Sequence, residues 1–277
     1  MAGPHRWIKT TPSNWEAASF DTGLLPASTE IVRFDGTAQG DVIGGLDQSA
    51  VDLALLQINR TYRGRIGAPG NPLIVSSDLV LASGSGQLNY RDGNGTTDVF
   101  IVDSDNLVDA VHLGGTSITR IRVLKGRVDI DADFGGANTL EIGYRNMPDV
   151  DANVVANDGL TALFVVNLIM NAGRLTSRNF PYDAATAQAI IHGGVLTVKQ
   201  GDAVTTGTTY LVGGTLRWNA TAPSGVAKSL AGRFYLISGT LDATEGGAKT
   251  IDDAFLWGGT IVDPNGNLTI TENRMEP

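Results

Sequence analysis

The amino-acid sequence predicts an all-β fold, a single-stranded parallel β-helix (β-solenoid) of about ten coils. Three observations carry this: a ten-residue pattern recurs along the chain, its sixth place is always glycine, and from Gly173 onward its copies stand 20 to 25 residues apart. The copies are IRVLKGRVDI from Ile121, LIMNAGRLTS from Leu168, AIIHGGVLTV from Ala189, TYLVGGTLRW from Thr209, FYLISGTLDA from Phe234 and AFLWGGTIVD from Ala254. Their third and eighth places are apolar throughout, as in Ile191 with Leu196 and Leu211 with Leu216. Strand side chains alternate between faces, so places five apart point the same way only if the chain turns between them. Glycine, which tolerates positive φ and close backbone approach, sits where that corner is needed. A strand-rich repeat of this length marks a solenoid, in which each coil buries its apolar columns against its neighbours.

Taken in order, residues 1–30 hold Pro4, Pro12, Pro26, Trp7 and Trp15 without sustained periodicity, which predicts an irregular N-terminal arm or cap before a β-helix body over 31–277. Trp7 and Trp15 either seal the open end of the solenoid or serve as attachment points to another protein. Strand character begins at Ile31 and continues through Val51, Leu53 and Leu55. The segment Gln48 to Asn59 also fits helical spacing, but the glycine-bounded TYRGRIG that follows favours strand. Gly64 and Gly86 repeat the corner 22 residues apart. The intervals Gly86 to Gly126 and Gly126 to Gly173, 40 and 47 residues, each leave room for one coil whose corner has lost its glycine, near Asp105 and near Ala152. From Gly64 to Gly259 this makes nine steps of about 21.7 residues, hence ten coils, with right-handed crossovers. Regular structure is expected to run from about Val32 to Ile270.

Composition narrows the function classes. Glycine, at 35 of 277 residues, is about 13% against a usual ~7%, an excess the corners account for. With 42% apolar and 18% charged residues the chain has the material for a core, and a net charge of −9 without a basic run speaks against nucleic acid as a partner. The lack of cysteine removes disulfides, thiolate nucleophiles and cysteine-based zinc sites. No apolar signal core opens the chain and no run of about 18 apolar residues occurs, so neither secretion nor a membrane partner is expected.

No catalytic, cofactor-binding or metal-binding constellation is predicted. Asp129, Asp131 and Asp133 alternate along one strand, an arrangement that can bind Ca²⁺ or cleave polysaccharide, yet also simply the solvated outer face of a coil. The pairs Asp103 with Asp105 and Asp149 with Asp151 repeat that alternation and favour the plainer account. RDGNGTTD places Asp92, Asn94 and Thr96 like a calcium loop but lacks the closing bidentate Glu, and DPNGN is turn chemistry. His5, His112 and His192 are too scattered for a metal motif. The second and fourth places of the repeat should face outward, yet they become large and apolar toward the C-terminus. Tyr210, Tyr235, Phe255 and Trp257 would then form a ladder on the outer face, and a face of that kind predicts self-association. A homo-oligomer, most simply a trimer, is expected to close through these four residues.

SNW (Ser13 to Trp15), GLDQSAVDLALLQI (Gly45 to Ile58), YRGRIG (Tyr62 to Gly67) and the later GG-T-L corners carry a likeness to known proteins. In them the chain resembles a family of Gly-rich β-helical structural proteins of tailed bacteriophages, of the decoration or fibre type. The resemblance implies a non-catalytic virion component made in the host cytoplasm, a capsid decoration (cement) protein whose partners are copies of itself and the major capsid protein or another virion protein. The alternatives are a tail fibre or tailspike-like β-helix that binds or cleaves host polysaccharide, and a bacterial surface or matrix β-solenoid.

Overall fold

In the computed structural model the chain is all-β, its parallel strands stacked as a β-solenoid of about ten turns, with a single 3-10 turn at Ala17–Ser19 among the described residues. The structure describes residues 4–115, 118–131, 137–144, 151–156, 165–180, 182, 185–199, 204–219 and 228–274. Two compact units divide it, Met1–Gly136 and Ala137–Pro277.

In the first unit one ladder brings His5, Val32, Leu56, Val80, Phe100 and Ile121 into register. A second ladder aligns Leu88, Val111 and Val128, continued by the bridges of Ile66 to Leu88 and to Val42. All of these side chains are buried. Gln48 to Asn59 resolves as strands Asp47–Leu53 and Leu55–Ile58, as the neighbouring glycines predict. In the second unit the third column of the repeat forms the stack Met170, Ile191, Leu211, Leu236, Leu256, and the eighth column forms Leu175, Leu196, Leu216, Leu241, Ile261. Leu256 and Ile261, at the last of these turns, are the members left half-exposed.

Between these columns Gly173, Gly194, Gly214, Gly239 and Gly259 lie one above another with φ of 76°, 78°, 68°, 86° and 80°. The first four satisfy the corner's backbone by accepting the N–H of the next coil, as when the Thr215 N–H donates to the Gly194 carbonyl at 2.9 Å. Gly64 and Gly86 occupy the same place in the first unit without a positive φ. There the requirement is room: a side chain on Gly86 would run into the carbonyl of Gly64 and the backbone of Arg63. The two corners without glycine fall where the spacing puts them. Gly126 faces the carbonyls of Ser104 and Asn106, either side of Asp105, and Gly173 lies over Ala152. In the first unit Ile66, Leu88, Val111 and Val128 mark four turns, and in the second Val154, Leu175, Leu196, Leu216, Leu241 and Ile261 mark six, together the ten expected between Gly64 and Gly259.

Within the segment expected as an arm or cap, two short strands join the solenoid: His5–Arg6 pairs with Ile31–Phe34, and Ser13–Asn14 with Val42–Gly44. Regular pairing thus begins well before Val32. Trp7 and Trp15, 0% and 3% exposed, pack edge-on against Phe20 at 5.8 and 5.2 Å and lie tilted against Phe34 at 5.6 and 6.0 Å. Phe34 continues to Tyr62 at 5.3 Å. The carbonyl of Gly40 accepts both the Trp7 indole N–H at 3.1 Å and the Tyr62 hydroxyl at 2.7 Å, so the aromatic plug is tied to the backbone it covers. The buried His5 closes the same end through Glu30 at 2.8 Å and Thr22 at 2.7 Å. A hydrogen bond from the Ala27 N–H is the main cause that holds the Glu30 carboxyl below its usual pKa. The sealing role is the one the geometry displays.

Candidate functional site

The residues singled out from the sequence separate into structural and surface groups. Tyr210, Tyr235 and Phe255 stand in register and stack face to face, 4.7 Å and 4.5 Å between ring centroids at 9° and 11°. Parallel in-register strands are about 4.8 Å apart, so identical outward positions on successive coils must lay their rings on one another. Much of the apolar outer column is thereby covered by the chain itself; Phe255 is 3% exposed. Trp257 leans on Tyr235 at 6.0 Å and remains 53% exposed, the large apolar group this face presents.

The acidic alternation is paired rather than merely solvated. Asp103 meets Arg60 at 2.8 Å, and Asp105 meets Lys125 at 2.6 Å, a hydrogen bond that lowers the Asp105 pKa. Asp129 is 7% exposed and receives Nε and Nη2 of Arg127 at 3.1 and 2.9 Å, which raises the pKa of the guanidinium. Asp133 and Asp149 lie outside the described residues, and Asp151 is exposed. In the calcium-like loop the Asp92 carboxylate is occupied by the Thr97 N–H at 3.1 Å and the Thr97 hydroxyl at 2.6 Å, which closes a turn. His5 is in the cap and His192 is exposed.

Stacking assembles a cluster that no short motif announces. On the second ladder of the first unit Asn89, His112 and Asp129 occupy the same outward place on three successive turns. The turn that carries His112 has additional residues after its corner, including the exposed Leu107 and Val108, and this excursion delivers Asp109 to the same spot. Asp109 is hydrogen-bonded by His112 Nε2 and by the Gln87 amide. One ligand-capable atom from each of Asp109, His112 and Asp129 lies within 4.8 Å of the others. A cation there would compete with Arg127, which already pairs with Asp129 at close range, so the cluster reads as a hydrogen-bonded network on the coil's outer face.

Beside it the Ala68–Asn71 bridge holds a loop over the outward side of Asn89. The cavity beneath is about 110 Å³, walled by Pro69, Pro72, Arg91, His112 and Asp131 with Asn89 at its floor. Asn89 is 2% exposed, and neither its amide NH₂ nor its amide oxygen has a hydrogen-bond partner. Sequence inspection missed this group because its members are 23 and 17 residues apart on coils of unequal length; the available signal was a polar residue between Leu88 and Tyr90 in the same column as His112. No protein-family model, no curated protein and no solved structure matches this chain.

Proposed function

We propose that the protein is a non-catalytic structural component of a tailed-phage particle, a capsid decoration protein that associates with copies of itself and with another virion protein. The observation that carries the structural reading is the way its backbone is used. Along the paired ladders the backbone N–H and C=O groups are spent on the neighbouring turn and large side chains fill the interior, the construction of a scaffold that resists opening. The self-association face is the outer stack, with Trp257 supplying the exposed indole beside Tyr235. Attachment to a second protein falls to the surface of the front segment, where Leu24 and Leu25 are 64% and 49% exposed, while Trp7 and Trp15 hold that surface in shape from beneath.

Two measurements test this. Mass spectrometry of purified particles is expected to find the protein at a fixed copy number per particle, and its absence removes the virion reading. Light scattering at micromolar concentration is expected to give about three times the 29.0 kDa chain mass, reduced to one in Trp257→Asp, because an unpaired carboxylate in a closed interface is costly. A wild-type monomer contradicts the self-association.

A further inference from the structure

The outward face of the first ladder in the first unit is aliphatic. Side chains that alternate with the buried Leu56, Val80 and Phe100 fall into two columns across the strands. One column runs Leu55, Leu79, Val99, and the other, two residues on, runs Gln57, Leu81, Ile101. All six are half-buried. The strand Leu79–Ala82 and the run Val99 to Val102 are therefore apolar on both sides, as parallel strands are when both faces are covered. The core covers the inner face, and no strand packs across the outer one among the described residues. Along one flank stand Asp78 and Asp98, directly before Leu79 and Val99, with Asp52 three residues before Leu55. All three are exposed, and none meets a Lys or Arg among the described residues. The Asp52 carboxyl is held above its ordinary pKa, by partial burial first and then by the charges of Asp78, Asp92 and Asp98.

We infer that this face docks an amphipathic α-helix of a partner protein, its apolar stripe on the two columns and its Lys or Arg flank against Asp52, Asp78 and Asp98. The inference goes beyond the virion reading and stands without it. Spacing selects the helix. Adjacent coils are about 4.8 Å apart, so each column offers one side chain per ~4.8 Å along the direction of stacking. A helix laid along that direction returns the same face every ~5.4 Å, close enough to keep its stripe on the columns for several coils. A strand laid the same way repeats a face every ~6.6 Å and falls out of step at once. Helices are also the usual cover of parallel sheets. A second copy of this chain does not supply one, because its sole helical element among the described residues is the three-residue turn Ala17–Ser19. Charge selects the flank. On the other side of the columns Arg60 pairs with Asp103 at 2.8 Å and Lys125 with Asp105 at 2.6 Å, so that side is already balanced. The carboxylates of Asp52, Asp78 and Asp98 lack such cations and are met by a positive partner.

The test uses the whole chain and two synthetic peptides of about five helical turns. One has leucines at helical spacing with lysines along one flank, and the other has glutamates in place of the lysines. Fluorescence anisotropy in ~0.15 M salt is expected to show micromolar binding of the lysine peptide and at least about 100-fold weaker binding of the glutamate peptide. Asp52→Asn, Asp78→Asn and Asp98→Asn together should weaken the lysine peptide at least about tenfold. Glu16→Gln, Asp151→Asn and Glu245→Gln together make the same change in net charge at exposed acids elsewhere and should leave binding as it was. Leu81→Ser with Ile101→Ser should also weaken it. If that pair does not fold, methyl NMR of the wild type decides, with the resonances of Leu79, Leu81 and Ile101 expected to shift on peptide binding. The inference is overturned if the lysine peptide does not bind at about 100 μM, if the two triple variants bind it alike, or if those methyl groups do not move. It is also overturned if Ile101→Asp, with Trp257 intact, lowers the mass of the protein to that of one chain, which would put a second copy on this face.

Discussion

Replacing Gly214 by valine is expected to cost more than about 3 kcal/mol of stability, read as a fall in the denaturation midpoint at constant slope. Two penalties fall on one atom. The backbone at Gly214 has φ of 68°, where a β-branched residue is strained by itself. In addition, its new Cβ would stand 2.7 Å from the carbonyl carbon of Gly193 and 2.7 Å from the carbonyl oxygen of Gly194. That oxygen cannot move aside freely, because it accepts the Thr215 N–H at 2.9 Å and so fixes the next turn. Gly247 supplies the control: its φ is not positive and a Cβ there meets nothing within 4 Å, so Gly247→Ala should stay within about 0.5 kcal/mol of wild type. Equal effects at the two sites would mean that the glycine column is not a set of tight corners.

Trp7→Ala is the second large effect, expected at about 3 to 5 kcal/mol, the range for removing a large buried aromatic. Trp7 touches both Phe20 and Phe34 within 5.8 Å and donates to Gly40, so its loss leaves a void between the terminal rings and removes one of the two hydrogen bonds on that carbonyl. Trp7→Phe should recover part of the loss by filling space without the donor. Chemical denaturation followed by the remaining tryptophans gives the answer. A Trp7→Ala protein as stable as wild type would put the indole at the surface and return it to the role of an attachment anchor.

How far the fold is legible from the chain can be judged at particular residues. The glycine column and its apolar companions at Leu196, Leu216 and Leu241 are periodic, and periodicity survives without knowledge of tertiary contacts, so even the glycine-free corners near Asp105 and Ala152 could be placed by interval alone. Gly64 and Gly86 share the column but not the backbone conformation, a distinction invisible to spacing because both close approach and positive φ select glycine. The Tyr210, Tyr235 and Phe255 column was readable as outward and apolar; that the rings cover one another follows from the inter-strand spacing once the register is known. Trp7 and Trp15 sit in aperiodic sequence, and burial there depends on the fold of the cap, which no repeat announces. The Asn89 site is hardest of all, since unequal coils bring together residues whose separations match no motif.

The account rests on in-register parallel stacking, and the lack of native cysteine makes that directly measurable. Thr176 and Thr197 are register partners on adjacent turns, and Arg217 is the partner of Thr197 one turn further. Adjacent turns bring Cα atoms to about 4.8 Å, inside the range that a disulfide spans, whereas two turns separate them by roughly 10 Å, outside it. Under mild oxidation Thr176→Cys with Thr197→Cys is therefore expected to cross-link within one chain, and Thr176→Cys with Arg217→Cys to remain reduced. Cross-linking of the second pair, or failure of the first in a folded protein, would contradict the stacked solenoid.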